Sequence, residues 1–109
     1  MRQMMINQHV KTILMKNWGD EADSLNCYAE VKFIDPLSDW QCYIYALNPD
    51  DEDRIECLLY TRTMGVQLAN WSLKELCLLH NEEGESPIID AEYRRTRASE
   101  LFKKLNEAV

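Results

Sequence analysis

The sequence predicts an α+β fold in which helices pack on an antiparallel β-meander of three to four strands. Apolar residues alternate with period two through most of residues 27–71, a pattern typical of half-buried strands. Turn-forming residues separate these segments, and amphipathic helical patterns precede and follow them. At 109 residues, with 46% hydrophobic side chains, the chain is long enough to bury one core, so we expect residues 1–109 to form a single domain.

The predicted sheet begins with a strand that places Cys27, Ala29, Val31 and Phe33 on one apolar face. Residues 40–47, WQCYIYAL, predict the next strand, which we expect in the centre of the sheet because neither of its faces is polar. Strict alternation assigns the two faces of this strand as Trp40, Cys42, Ile44 and Ala46 against Gln41, Tyr43, Tyr45 and Leu47.

Residues 48–53, NPDDED, predict a hairpin loop, because Asn-Pro cannot continue a central strand. A fourth strand, at an edge of the sheet, is predicted around residues 65–70, with Gly65 as the turn residue before it. Between them, the returning strand is predicted to alternate Ile55, Cys57 and Leu59 against Glu56, Leu58 and Tyr60.

Helical patterns flank the sheet. Residues 2–16, with Met4 among the apolar positions, predict an amphipathic helix that lies on the sheet and is capped by Gly19. Residues 20–24 are expected to form a solvated connection. After the sheet, Ser72 and Glu75 match a capping box, which predicts a short helix that ends near residue 80.

The last part of the chain predicts a polar loop, a brief extended segment and a second amphipathic helix. The loop covers residues 81–87, NEEGESP, and the extended segment covers residues 87–89. In the tail helix, Leu101, Phe102 and Leu105 are predicted to face inward, and the helix could begin as early as residue 90.

Four cysteines, at positions 27, 42, 57 and 77, have no CxxC spacing. Because they lie within predicted strands and a predicted helix, we interpret them as buried reduced thiols and expect a cytoplasmic protein without a metal site or cofactor. No apolar run is long enough to span a bilayer, and no secretory signal opens the chain, so we expect no membrane partner.

No catalytic or nucleotide-binding signature occurs in the sequence, so we predict no catalytic residues and do not expect an enzyme. His9 and His80 have no metal-ligating residue at suitable spacing, which favours surface or capping roles. Two alternatives stay open. One is a small enzyme or ligand-binding subunit with a pocket near Trp40, Tyr43 and Trp71, and the other is a structural homo-oligomer.

Charge is the most informative property, since 19 acidic and 12 basic residues give a formal net charge of −7. Acidic clusters in predicted loops indicate a surface for a basic protein partner, although exposed acids also serve ordinary solubility. A further cluster surrounds residues 20–23. The residues assigned to the acidic partner-binding surface are Asp50, Asp51, Glu52, Asp53, Glu56, Glu82, Glu83 and Glu85.

Arg94, Arg95 and Arg97 form a basic patch in the tail, with Lys103 and Lys104 nearby. The favoured interpretation is a solvated tail or pairing with the acidic loops of the same chain. As a nucleic-acid footprint the patch is small, and the acidic field elsewhere would repel a phosphate backbone. We therefore expect no direct nucleic-acid binding.

Between residues 28 and 79 the chain resembles a family of small proteins that carry a domain of unknown function and are common on plasmids and prophages. The resemblance implies an accessory gene of a mobile genetic element, whose small acidic product binds and blocks a host or rival machine. It assigns no catalytic residues. The matching features are Val31 to Pro36, Ser38 to Trp40, Tyr43, Asn48 to Asp50, and Ser72 to Leu76.

The predicted function is therefore that of a small acidic, non-enzymatic cytoplasmic binding protein. Its partner would be a basic or nucleic-acid-binding protein, as for a phage- or plasmid-encoded inhibitor of the counter-defence type. A homodimer stays open as an additional assembly.

Overall fold

The computed structural model describes residues 6–107, except for the side chains of Asp20 and Glu21. Residues 2–5 of the predicted first helix, including Met4, lie outside the described residues. The helix was predicted to include residues 6 and 7, which was wrong, because the side chain of Asn7 accepts a hydrogen bond from the backbone of Val10 and caps the helix there. The elements in chain order are α1 Gln8–Asn17, α2 Asp20–Ser24, β1 Tyr28–Ala29, β2 Val31–Ile34, β3 Gln41–Asn48, β4 Asp51–Thr61, β5 Gly65–Ser72, α3 Leu73–Leu78, β6 Ile88–Ile89, β7 Thr96–Arg97 and α4 Ala98–Glu107.

The fold is α+β, with an antiparallel sheet and helices near both ends of the chain, as the sequence predicts. The main sheet has five strands in the order β5-β4-β3-β2-β6, so the prediction of three to four strands was too low. The additional strand is β6, whose two isoleucines pair with Phe33 and Ile34 of β2. A separate two-stranded sheet joins β1 to β7. No described helix is long and apolar enough to cross a membrane.

Helices and the small sheet cover the five-stranded sheet on both faces. We call the face that packs against α1 and α3 the first face, where Leu14 and Leu76 join Phe33, Ile44 and Ile55 in one buried cluster. On the second face, α2, α4 and the β1–β7 pair build another buried cluster. Strand β3 lies in the middle, and six of its eight residues are buried, which confirms its predicted central position.

A β-bulge at Tyr45 changes the predicted faces of β3. Ile44 pairs with Cys57 and Ala46 with the next residue, Glu56, so Tyr45 has no partner in the ladder. The extra residue places Tyr45 and Ala46 together on the second face and returns Leu47 to the first. The predicted assignment of Ala46 and Leu47 was therefore wrong, because strict alternation holds only where the ladder is regular.

The predicted first strand is divided at Glu30. Val31 and Phe33 belong to β2 and pack on the first face, whereas Cys27 and Ala29 lie in the cluster on the second face. Ala29 pairs with Thr96 of β7 and leaves the main sheet. The period-two pattern thus spans two short strands in different sheets, and the prediction of one common face was wrong.

Three other boundaries differ from the sequence expectations. Asn48 pairs with Asp51, so Pro49 and Asp50 alone form the turn, and residues 51–53 belong to β4 instead of a loop. The Asn48 side chain accepts a hydrogen bond from the backbone of Asp50 at 2.8 Å, an arrangement that tightens the reversal. Residues 20–24 form the short helix α2, and the tail helix begins at residue 98.

Other local predictions are confirmed. Ser72 caps α3, since its hydroxyl accepts a hydrogen bond from the backbone of Glu75 at 3.2 Å. Strand β5 is an edge of the main sheet and begins with Gly65, which has a φ of 74°. Cys27, Cys42 and Cys57 are buried and Cys77 is half-buried, and none of these four described cysteines forms a disulfide. Contact with Cys57 and burial raise the pKa of Cys42.

Asn17 holds the bulge in place. It is the one amide side chain buried in the described part of the chain, and its Nδ2 donates to the carbonyl of Tyr45 at 2.9 Å. A longer bond of 3.5 Å reaches the carbonyl of Tyr28 in β1. Because a bulge interrupts the ladder, this side chain supplies a donor to a carbonyl within the buried core.

We expect Asn17→Ala to lower the free energy of unfolding by about 1–3 kcal/mol, because the buried Tyr45 carbonyl loses its amide donor and keeps only the weak thiol donor of Cys27 at 3.7 Å. Urea denaturation followed by circular dichroism measures this loss. Asn70→Ala, on the exposed side of β5, is the matched control and should change stability by less than about 0.5 kcal/mol. Equal effects of the two substitutions would contradict the role assigned to Asn17.

Candidate functional site

The fold separates the predicted acidic residues to opposite ends of the sheet. We call the end with the β3–β4 turn the hairpin end; it carries Asp50, Asp51, Glu52 and Asp53. The other end, here the loop end, joins the β2–β3 turn to the loop with Glu82, Glu83 and Glu85. Strand β3 spans about 23 Å between these ends. The predicted acidic surface is therefore two surfaces.

At the hairpin end, Asp53 has a structural role that distinguishes it from its neighbours. Its carboxylate accepts hydrogen bonds from the Ser72 hydroxyl at 2.6 Å and from the Lys74 backbone at 2.8 Å. These bonds join the start of β4 to the start of α3 and lower the pKa of Asp53. Asp50 and Glu52 are exposed, and their side chains are available to a partner.

Glu56 belongs to neither end. It lies half-buried on the second face and lines a cavity of about 290 Å³ together with Asp23, Tyr45 and Leu68. Burial, reinforced by the nearby charge of Asp23, raises the pKa of Glu56, while a hydrogen bond from Tyr45 acts in the opposite direction. The structure thus separates Glu56 from the exposed acids with which the sequence grouped it.

The loop end is organised by Asn81. Its Nδ2 donates to Asp35 Oδ1 at 2.8 Å, and its Oδ1 accepts from the backbones of Glu83 and Glu85, each at 3.0 Å. The Asn81 backbone also donates to the carbonyl of Glu85 at 2.9 Å. One side chain therefore folds the acidic loop and ties it to the β2–β3 turn.

A groove lies between this turn and the loop, and we call it the Asp35 groove. Its main part has a volume of about 600 Å³, and an adjoining part of about 290 Å³ extends to an apolar wall. Its lining residues include Asp35, Ser38, Trp40, Leu79, Glu82 and Glu85. Aromatic, apolar and carboxylate groups thus converge on one surface.

Asp35 is the fixed charge of the groove. Its Oδ1 accepts from Asn81 and from the Leu37 backbone, and its Oδ2 accepts from the Ser38 hydroxyl at 2.9 Å. The hydrogen bond from Asn81, followed by that from Leu37, lowers the pKa of Asp35. The group is therefore a carboxylate at neutral pH. A carboxylate has about four acceptor positions, so three internal bonds leave capacity on Oδ2.

Two arginines of the predicted basic patch, Arg95 and Arg97, form contacts with other residues of the same chain. Arg95 forms a bidentate pair with Glu30, with a shortest distance of 2.6 Å, and its guanidinium lies 4.1 Å from the centre of the Tyr28 ring. Arg97 donates to the carbonyl of Asn26 at 2.7 Å. The described partners of Arg95 and Arg97 thus lie within residues 26–30, and not in the acidic loops that the sequence favoured.

The predicted pocket near Trp40, Tyr43 and Trp71 is not formed by these three residues together. Tyr43 is buried on the second face, whereas both tryptophans pack against the cluster on the first face. The indole nitrogen of Trp71 donates to Glu75 at 2.8 Å, beside the hairpin end. Trp40 alone lines the Asp35 groove.

Neither histidine belongs to a cluster of possible metal ligands. His9 lies exposed on α1, and His80 lines the Asp35 groove with its Nδ1 3.3 Å from the carbonyl of Asn81. Within residues 6–107, no group of three or more His, Cys, Asp or Glu side chains is arranged to hold a metal ion.

Comparison with protein-family models, with curated proteins and with solved structures found no match for this chain. The functional assignment consequently depends on the geometry of its own residues.

We expect Asp53→Ala to lower the free energy of unfolding by about 1 kcal/mol at pH 7, because α3 loses acceptors at its first turn. Since folding lowers the pKa of Asp53, its contribution is fully present above the unfolded value of 3.8 and is lost as the pH falls through the native pKa. The difference between wild type and variant should shrink below pH 3.8.

Urea denaturation at pH 7 and at several lower pH values measures this dependence. Asp50→Ala, which removes an exposed carboxylate of the same turn, is the control and should leave stability nearly unchanged. Asp35 also has a lowered pKa, but it is present in all three proteins and cancels in the comparison. A difference between wild type and Asp53→Ala that stays constant with pH would contradict this assignment.

Proposed function

We propose that the protein is a small acidic, non-enzymatic binding protein whose loop end recognises a basic protein surface. The observation that carries this proposal is that no described basic side chain forms an ion pair with the acidic loop. The two ion pairs found among the described side chains are Lys32–Asp90 and Arg95–Glu30. Glu82, Glu83 and Glu85 lie outside both pairs and are exposed.

Unpaired carboxylates of this kind produce a negative field that steers a cationic partner and favours a complementary interface. Both ends carry exposed acids. At the loop end these acids lie beside a groove that has Trp40 in its wall. Interfaces obtain most of their affinity from a few anchors that enter such depressions. The loop end is therefore the better candidate for the binding surface.

The resemblance to proteins of plasmids and prophages favours a particular biological setting for this binding. A basic or nucleic-acid-binding machine of the host, or of a rival element, would be the partner, and occlusion of its cationic surface would inhibit it. The same negative field disfavours direct contact with a nucleic acid. The protein would thus act in the cytoplasm as a counter-defence inhibitor.

Charge reversal at the loop end, by Glu82→Lys, Glu83→Lys and Glu85→Lys together, should abolish capture of the partner. These side chains form no ion pair with any described residue, so the change removes the field without breaking a described contact of the carboxylates. Affinity capture from host lysate at low salt, followed by identification of the retained proteins, measures the effect. The wild-type partner should be basic and should dissociate at high salt.

The matched control is Asp50→Lys, Asp51→Lys and Glu52→Lys at the hairpin end, which changes the net charge equally. It omits Asp53, whose loss would disturb α3. We expect this variant to retain the partner, with circular dichroism confirming that both variants fold. Equal loss in both variants, or undiminished capture by the loop-end variant, would contradict the proposed surface.

A structural homo-oligomer is the second candidate, favoured by the edge strand β5. Its eight residues, GVQLANWS, include no charged side chain, and Leu68 is 56% exposed. Long uncharged edges can pair with a strand of another molecule, whereas charged side chains usually prevent it. We expect a dimer formed in this way to dissociate on Leu68→Lys, as measured by light scattering. A monomeric wild type at high concentration would exclude this assembly.

A further inference from the structure

We propose that the Asp35 groove holds an arginine side chain of the protein partner, which extends the proposed function by naming the anchor that the acidic loop attracts. The charge of the groove supports a cation. Asp35 is ionised and has an acceptor position left on Oδ2, and Glu82 and Glu85 lie along the rim. A guanidinium N–H can donate to the remaining position on Oδ2 in a charge-assisted hydrogen bond.

The walls favour arginine over lysine. Trp40, Leu79 and Pro87 form an aromatic and apolar wall beside the carboxylate, and Leu37, which is 56% exposed, lies on another side. Arginine stacks on aromatic faces and buries an aliphatic stem, whereas the ammonium of lysine is compact and strongly hydrated. The groove thus offers separate surfaces for the stem and for the guanidinium.

The same chain already contains this mode of recognition. The guanidinium of Arg95 is paired with the carboxylate of Glu30 and lies 4.1 Å from the centre of the Tyr28 ring. A carboxylate next to an aromatic ring therefore binds arginine in this fold. The Asp35 groove presents the same pair of groups, Asp35 and Trp40, without an internal arginine among its lining residues.

The groove is organised before any partner binds. The Ser38 hydroxyl donates to Asp35 Oδ2 at 2.9 Å and accepts from the backbone of Trp40 at 3.2 Å, which links the carboxylate to the aromatic wall. Asn81 holds the opposite loop against Asp35. Because these contacts already exist in the free protein, little ordering is required on binding.

The test uses three synthetic peptides, acetyl-Gly-Gly-X-Gly-Gly-amide, in which X is arginine, lysine or citrulline. Titration into the isotope-labelled full chain is followed by amide and indole NMR shifts. We expect the arginine peptide to shift Ser38, the Trp40 indole and the Asn81 side-chain amide, with at least tenfold weaker binding of citrulline, which keeps the shape and loses the charge. Lysine should bind with intermediate affinity.

Neutral substitutions in the chain provide a second measurement. Glu82→Gln with Glu85→Gln should weaken arginine binding about three- to tenfold, while Asp50→Asn with Glu52→Gln, the same charge change at the hairpin end, should leave it unchanged. Equal shifts from arginine and citrulline, or shifts confined to the hairpin end, would overturn the proposal.

The outcomes also separate this proposal from the proposed function. Loss of partner capture in the Glu82, Glu83 and Glu85 reversal without binding of the arginine peptide would refute the anchor and leave the acidic surface in place. Binding of arginine in the groove with undiminished capture by that reversal would establish the arginine site and refute the role of the acidic loop.

Discussion

The bulge at Tyr45 is the constraint on which the rest of the architecture depends. It allows one strand, β3, to supply Ile44 and Leu47 to one core and Tyr45 and Ala46 to the other. A bulge is stable in a buried strand only if its backbone groups find partners, and Asn17 provides a donor from the end of α1. The side chain of Asn17 thus links the position of α1 to the faces on which the side chains of β3 lie.

A second amide performs a comparable task at the surface. Asn81 joins a turn and a loop that are 46 residues apart in the chain, through its bond to Asp35. The result is a rigid groove between two irregular segments, which is where binding residues are commonly found on a regular scaffold. Helix α3 connects the two ends of the sheet. It begins at the hairpin end, where Ser72 caps it, and packs on the first face, and the chain after it reaches the loop end.

Electrostatics divides the acids into two classes. Asp53 and Asp35 accept hydrogen bonds that lower their pKa values and hold separate segments together, so they are elements of the fold. The exposed acids of the turn and of the loop make no ion pair within residues 6–107. The exposed acids give the protein a negative electrostatic field, which favours solubility and the binding of cationic partners. Asp53 directly follows the exposed acids of the β3–β4 turn, whereas Asp35 lies in the β2–β3 turn and also lines the groove.

The sequence by itself determined the α+β class, the central position of β3, the edge position of β5 and the cap of α3. These features follow from local periodicity, turn chemistry and capping, which act over a few residues. Only the tertiary structure decided the division at Glu30, the bulge at Tyr45, the separation of the acids and the groove at Asp35. Each depends on a partner distant in the chain, such as Asn17, Thr96 or Asn81, and no local pattern encodes such a pairing.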